Sequence, residues 1–245
     1  TAASRRRVDF KWNGKSLAYF ALRSNDYVAV ERCLILDPAL QALMQPLTRA
    51  LRKFSNIKTV SLTKADSGVE LLLGLSDNHR PDLAEFEPLA KSLNFARVGM
   101  ISANQEYVSA VKRNPMTMRF GNYDVAFPPG AFLQASKEGE RLLTEAVVKG
   151  VGDAASVVDL FSGIGTYSFP LLQTATVHAV ELDTPMVQSF AKNIKNLELK
   201  DRLSVEERDL FRKPLSAKEL NRFDSIVVNP PRIGAKEQTR QIAES

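Results

Sequence analysis

The segment Val157-Val158-Asp159-Leu160-Phe161-Ser162-Gly163-Ile164-Gly165-Thr166 constrains this chain more than any other. A β-branched pair leads into an acid, an apolar pair and a turn with two glycines, followed by a run suited to a helix. That is the strand–turn–helix entry of a nucleotide-binding α/β unit. Gly163 and Gly165 permit backbone angles that other residues avoid, and they let a ligand lie against bare backbone at the N-terminus of the following helix. The third glycine of the full dinucleotide fingerprint is absent, so the turn alone names no cofactor.

The spacing downstream sharpens the reading. A second apolar run, Thr176 to Val180, ends in Glu181, 22 residues after Asp159, where a carboxylate can bond both hydroxyls of a ribose. A helix opening at Asp183-Thr184-Pro185 follows. Leu203-Ser204-Val205 then leads to Asp209, at the end of a third strand and able to meet an adenine edge. Phe223 to Val228 runs into Asn229-Pro230-Pro231-Arg232. Four strands thus carry polar residues at their carboxyl ends, where open α/β sheets bind ligands.

The segments DLFSGIGT (159–166), VELD (180–183) and NPPRIG (229–234) resemble those of the RNA uracil-5-methyltransferases, which use S-adenosylmethionine (SAM) on uridines of 23S ribosomal RNA or tRNA. Class I methyltransferases in general continue the Asn/Asp-Pro-Pro box with an aromatic suited to amino-group chemistry, whereas Arg232-Ile233-Gly234 is similar to the uracil-5 branch. The fold implied is a Rossmann-like doubly wound sheet of the class I SAM-dependent type, over residues 128–245, preceded by an α+β antiparallel-sheet domain facing RNA, over residues 1–127.

The resemblance also implies roles. Phe161 packs on the cofactor, Thr166 meets its methionine end, Glu181 holds the ribose, Asp209 contacts the adenine, and Asn229 sits beside the target uracil and the sulfonium. Asp159, Gly163 and Gly165 shape the cofactor turn. Gln134, in Phe132-Leu133-Gln134-Ala135-Ser136, stands where the family has a Gln that contacts SAM, and Arg232 is assigned to the substrate. The bland reading of each is a cap or turn residue. Arg5, Arg6 and Arg7 open the chain like the arginine-rich strand of the family's central domain, and are expected to meet phosphate; on charge alone a solvated strand end serves as well.

The implied chemistry needs a cysteine thiolate that adds to C6 of uracil, so that C5 attacks the methyl group, and a base that then removes the C5 proton. In the family both the nucleophilic Cys and the base Glu lie after a fifth strand, which corresponds here to positions beyond Ser245. The small β-barrel and iron–sulfur cysteines of many relatives have no counterpart in these residues either. A sheet ending at its fourth strand would expose an apolar edge. The expectation is therefore a longer chain, probed by the intact mass of the purified protein.

Composition bounds the alternatives. With 44% hydrophobic and 25% charged residues over 245 positions, two ordinary globular domains are expected. No apolar run reaches the ~18 residues of a membrane span and nothing at Thr1 resembles a signal peptide, so a cytoplasmic protein without membrane attachment is expected. The net charge of +5 and pI near 9.3 suit a polyanion partner. Cys33, the one cysteine, excludes an internal disulfide or cysteine-built cluster, and its neighbours suggest a buried structural role. Trp12, His79 and His178 have no partner at metal spacing, so no metal is expected, and the chain is read as a monomer.

Up to Val111 the patterning predicts a strand from Arg5, a helix bearing Leu40, Leu43, Leu47 and Leu51, a hairpin about Asp66-Ser67-Gly68, a helix over Pro81–Leu93, and strands at Arg97–Ile101 and Tyr107–Val111, and the resemblance implies a hairpin of Ser16–Leu22 with Tyr27–Val30. Three functions remain at this stage: uracil-5 methylation of RNA, most simply 23S rRNA with tRNA as the variant; a non-catalytic SAM- or RNA-binding relative without the nucleophile; and an amino-group methyltransferase, against which Arg232 argues.

Overall fold

The computed structural model describes residues 3–79 and 81–245; Thr1, Ala2 and Arg80 lie outside the described residues. Packing divides the chain into two units, Thr1–Thr117 with Leu133–Lys137, and Met118–Phe132 with Glu138–Ser245.

The first unit contains, in chain order, β1 (Arg7–Trp12), β2 (Leu17–Phe20), β3 (Tyr27–Ala29), α1 (Pro38–Leu51), β4 (Ile57–Ala65), β5 (Gly68–Leu75), α2 (Phe86–Ser92), β6 (Phe95–Ile101) and β7 (Tyr107–Lys112). The strands form one sheet ordered β3-β2-β1-β4-β5-β6-β7. Strand alternation sends Val8, Phe10 and Trp12 of β1 into the core and Arg7, Asp9 and Lys11 to the opposite face. Asp37 caps α1 by accepting from the Ala39 amide at 2.9 Å, Pro38 opens its first turn, and Leu40, Met44, Leu47 and Leu51 make the apolar stripe that covers β1, β4, β5 and β6. Cys33 packs half-buried against this core, its amide donating to Gln41 Oε1 at 2.7 Å.

Two local expectations change. The sheet is antiparallel except between β5 and β6, which run parallel because the connection passes through α2 instead of a hairpin. The helix expected over Pro81–Leu93 starts as a 3-10 turn at Leu83–Glu85, capped by the Asp82 side chain, and becomes α-helical only at Phe86.

The second unit holds a two-stranded ribbon, β8 (Thr117–Phe120) with β9 (Tyr123–Ala126), then α3 (Lys137–Val151), β10 (Ser156–Leu160), α4 (Ser168–Leu171), β11 (Thr176–Glu181), α5 (Thr184–Asn196), β12 (Leu203–Glu207), α6 (Ala217–Leu220), β13 (Ser225–Val228) and α7 (Lys236–Ala243). β10 to β13 form a parallel sheet ordered β12-β11-β10-β13. Val157 to Leu160 are all buried, as a parallel strand covered on both faces requires. Phe169 of α4 stacks on Phe190 of α5 at 5.2 Å on one side, while Leu210, Leu215 and Leu220 pack against Val158, Leu160 and Val180 on the other. The sheet is doubly wound, as expected.

The helix after the glycine turn is shorter than expected. Residues 163–167 form consecutive turns and α4 has a single turn of four residues, because Pro170 has no N–H for the Thr166 carbonyl, so the preceding turns do not join the helix, and the chain must return to β11 at Thr176. No helix dipole of useful length stands behind the glycines.

Candidate functional site

Strand order reverses between β10 and β13, where Asp159 lies opposite Val227 and Leu160 opposite Val228. The crevice above the carboxyl ends at such a reversal is where doubly wound sheets bind ligands. The residues that follow β10, β11, β12 and β13 converge there.

At the centre is Glu181, the last residue of β11. Its Oε2 accepts from the Gly163 amide at 2.8 Å, and its Oε1 accepts from the Leu182 and Asp183 amides at 2.8 and 3.0 Å. The carboxylate thereby ties the turn after β10 to the start of α5, and Oε2, which accepts one amide where Oε1 accepts two, keeps a lone-pair direction for a further donor. Asp183 caps α5 by accepting from the Met186 amide at 2.9 Å.

The two glycines have different reasons to be glycine. Gly163 sits at φ +58°, and a Cβ there would meet nothing within 4 Å, so its bare backbone faces open space. Gly165, at φ +88°, would drive a Cβ to 2.7 Å from the Phe169 ring and 2.8 Å from Phe190. Gly165 is thus required by helix packing beneath the turn, whereas Gly163 leaves room for a ligand. Phe161 also takes a left-handed φ of +61°, uncommon for an aromatic residue, and its ring tilts against Phe211 at 5.5 Å. Phe211, two residues after Asp209, is a wall of this crevice that sequence reasoning missed; an exposed aromatic just past a strand end was the available signal.

Asp159 is placed beneath the crevice instead of in it. It is fully buried, its Oδ2 accepts from the Ser168 hydroxyl at 2.5 Å, and Oδ1 has no hydrogen-bond partner. Burial pushes its carboxyl up to about 7, with the neighbouring Glu181 charge acting in the same direction and the Ser168 hydrogen bond opposing. Ser168 was not foreseen, since nothing in the sequence pairs it with a residue nine positions earlier. The Ser162 hydroxyl, also buried, lacks a partner as well.

Asn229 follows β13, exposed, with Nδ2 reaching the Tyr167 hydroxyl at 3.5 Å. Thr166 is half-buried in the turn, and Arg232 is exposed. Asp209 serves its own loop: Oδ1 accepts from the Phe211 and Arg212 amides at 2.9 and 3.2 Å, which is the turn-cap arrangement.

Gln134 belongs to the segment that packs with the first unit, where its carbonyl accepts from Arg6 Nε at 2.8 Å. The three arginines separate accordingly. Arg6 is buried, and its amide also donates to the Ala135 carbonyl at 2.9 Å. Arg5 is exposed, and Arg7 lies half-buried with Nη2 3.4 Å from Asp9. Arg6 is therefore an internal clamp, not a solvent-facing cation. Among the described residues no cluster of three His, Cys, Asp or Glu side chains has the arrangement of a metal site.

Comparison with known proteins fits this geometry. The methyltransferase small domain family matches residues 122–245. An uncharacterized RNA methyltransferase of Caulobacter vibrioides is 34% identical over 99% of this chain and 61% of its own. The Shewanella piezotolerans protein named 23S rRNA (uracil(1939)-C(5))-methyltransferase RlmD is 32% identical over 94% of this chain and 53% of its own. The chain therefore spans a little over half of such relatives. In fold it is similar to the Pyrococcus abyssi tRNA (uracil-54, C5)-methyltransferase solved with S-adenosyl-L-homocysteine, with a TM-score of 0.77 at 15% identity, covering 99% of this chain and 64% of that one.

Proposed function

Because the chain belongs to the methyltransferase small domain family, we propose that it binds SAM in the crevice above β10, β11 and β13 and serves the methylation of C5 of a uridine in RNA, with 23S ribosomal RNA as the substrate. The observation that carries this reading is the joined cradle of Gly163 and Glu181 beside Asn229. A carboxylate already fixed by three amides, open space over a left-handed glycine, and the partnerless Ser162 hydroxyl in the same turn suit a polar nucleoside ligand. When bound, SAM supplies an activated methyl group.

The chain's own residues would do the rest by position. Glu181 would accept from a ribose hydroxyl at Oε2, a charge-assisted pairing that needs no side-chain movement. Phe161 and Phe211 would flank the adenine, and Gly163 would let the ligand approach the backbone. Asp209, with Oδ1 occupied by its own turn, would present only Oδ2, which already faces Arg212 Nε at 3.5 Å. Asn229 would offer its amide to the flipped uracil, with Tyr167 holding the other side of that amide, and Arg232 would meet the neighbouring phosphate. Thr166 would border the methionine end.

In this reading Cys33 is not the nucleophile, because it packs against the first unit's core; the thiolate that adds to C6 and the base that takes the C5 proton are expected outside residues 1–245. The chain would act as a monomer in the cytoplasm. Among the described residues no helix is long and apolar enough to cross a membrane. The Shewanella relative's named substrate supports 23S rRNA over tRNA. Titration calorimetry of the chain with S-adenosyl-L-homocysteine tests the cofactor assignment: saturable one-to-one binding is expected, and no heat at near-millimolar ligand would overturn it.

A further inference from the structure

The helix-free face of the first unit's sheet carries a groove that none of the roles above uses. Cross-strand register lines up Ala29, Ala18, Lys11, Thr59, Gly74, Ile101 and Tyr107 in one row from β3 to β7, each facing away from α1 and α2. The middle of that row is small by construction, since a Cβ on Gly74 would run into Thr59 Oγ1. The next row is lowered in the same way at Gly99, over which the Tyr107 ring lies. The result is a groove of about 380 Å³ whose lining includes Lys11, Lys58, Thr59, Ser61, Gly74 and Gln105.

Outside its lining the same face of the sheet carries exposed aromatic rings with a cation beside them. Phe20 of β2 and Tyr27 of β3 are directly paired, with rings 5.2 Å apart, and they stay 40% and 46% exposed. Lys11 Nζ stands 5.3 Å from the Phe20 ring centroid, so its stem is ordered while the ammonium remains at the surface. Tyr107, on the edge strand β7 and paired with the lining residue Ile101, is also 40% exposed. Asp9, beside Lys11 on this face, is met by Arg7 at 3.4 Å. Tyr27 and Tyr107 are six strand spacings apart, about 29 Å at the usual ~4.8 Å per strand, enough for several nucleotides.

Exposed aromatic rings cost hydration in a water-facing sheet, and a cation fixed beside them suits a ligand with flat π-faces and a repeating negative charge. We infer that this groove binds a single-stranded RNA segment, with Phe20, Tyr27 and Tyr107 receiving bases and Lys11 and Lys58 meeting phosphates. The inference rests on RNA being the substrate and adds a surface and a strand state to it. A duplex would hide its base faces from these rings, so single-stranded RNA is preferred.

The test is fluorescence anisotropy of the chain with a labelled single-stranded RNA of about twelve nucleotides, within the ~4–16 spanned by single-strand sites, and with the same RNA as a duplex. The double change Phe20→Ala with Tyr27→Ala should weaken single-strand binding roughly tenfold or more and leave the duplex and S-adenosyl-L-homocysteine affinities unchanged. Lys11→Gln should lower the slope of log affinity against log salt by about 0.7, the loss of one phosphate contact. Wild-type affinity and salt slope in both variants would overturn the groove while leaving RNA methylation intact. No RNA binding by the unaltered chain would overturn the groove together with the RNA reading on which it rests.

Discussion

The Glu181 carboxylate accepts a hydrogen bond from the Gly163 amide at 2.8 Å, so the last residue of one strand holds open the turn that follows its neighbour. Two sequence features 18 residues apart are one structural object. The ribose-spaced acid and the glycine turn cannot be perturbed separately, and this governs what mutations in the crevice should do.

Glu181→Ala should weaken S-adenosyl-L-homocysteine binding by about 1–3 kcal/mol through lost charge-assisted hydrogen bonds, and should loosen the turn as well. Glu181→Gln, which keeps an acceptor toward Gly163, should retain more of the stability than of the affinity. Calorimetry and urea unfolding on both variants check this; an affinity equal to that of the unaltered chain removes Glu181 from the site.

The glycines should separate by observable. Gly165→Ala forces a methyl group into the Phe169 and Phe190 rings at a positive φ, and should cost about 2–4 kcal/mol of stability, read in the unfolding midpoint. Gly163→Ala meets no atom, so only the left-handed backbone is strained, at about 1 kcal/mol, while ligand affinity falls because the methyl group occupies the open space. Equal stability losses for the two would contradict the division of labour.

Asp159 gives a pH dependence of definite sign. Its folded-state value, about 7, lies above the ~3.9 of an unfolded aspartate, so between those values the folded chain holds the extra proton. The contribution to stability is complete below about pH 4 and is lost as pH rises through about 7, at no more than about 1.4 kcal/mol per pH unit. Urea unfolding from pH 4 to 8 should show this component, and Asp159→Asn should remove it. A slope identical in the variant would mean that Asp159 does not titrate as its burial implies.

Arg6 and Arg5 should respond oppositely. Arg6→Ala removes a buried donor to the Gln134 carbonyl and should destabilise the chain by about 1–3 kcal/mol. Arg5→Ala should leave the unfolding midpoint within about 0.5 kcal/mol of the original while reducing the salt dependence of RNA binding. Loss of salt slope in the Arg6 variant with stability intact would return Arg6 to the surface.

Much of the second unit was legible because its signals are local. An all-apolar run reads as a buried parallel strand, Asp183 followed by Pro185 reads as a helix start, and the intervals from Asp159 to Glu181 to Asn229 set out successive strand ends. Most of what was misread depended on partners distant in sequence. The parallel β5–β6 pair follows from routing the chain through α2, whereas the single-turn α4 has the local causes Pro170 and the short return to β11, which the helix-like run concealed. The burial of Arg6 beneath Gln134 has no trace in a run of three arginines that differ only by one position each.

By itself the sequence determined the doubly wound arrangement, the ends of its strands and the set of polar residues gathered there, because periodicity, glycine turns and caps act within a few residues of themselves. Only the tertiary structure decided that Gly163 faces space while Gly165 faces two rings, that Asp159 is buried on Ser168 while Glu181 reaches the turn, and that small residues on β4, β5 and β6 align into a groove. Those outcomes depend on which distant atoms occupy the volume beside each group, and desolvation and packing are set by that volume and not by the chain's local order.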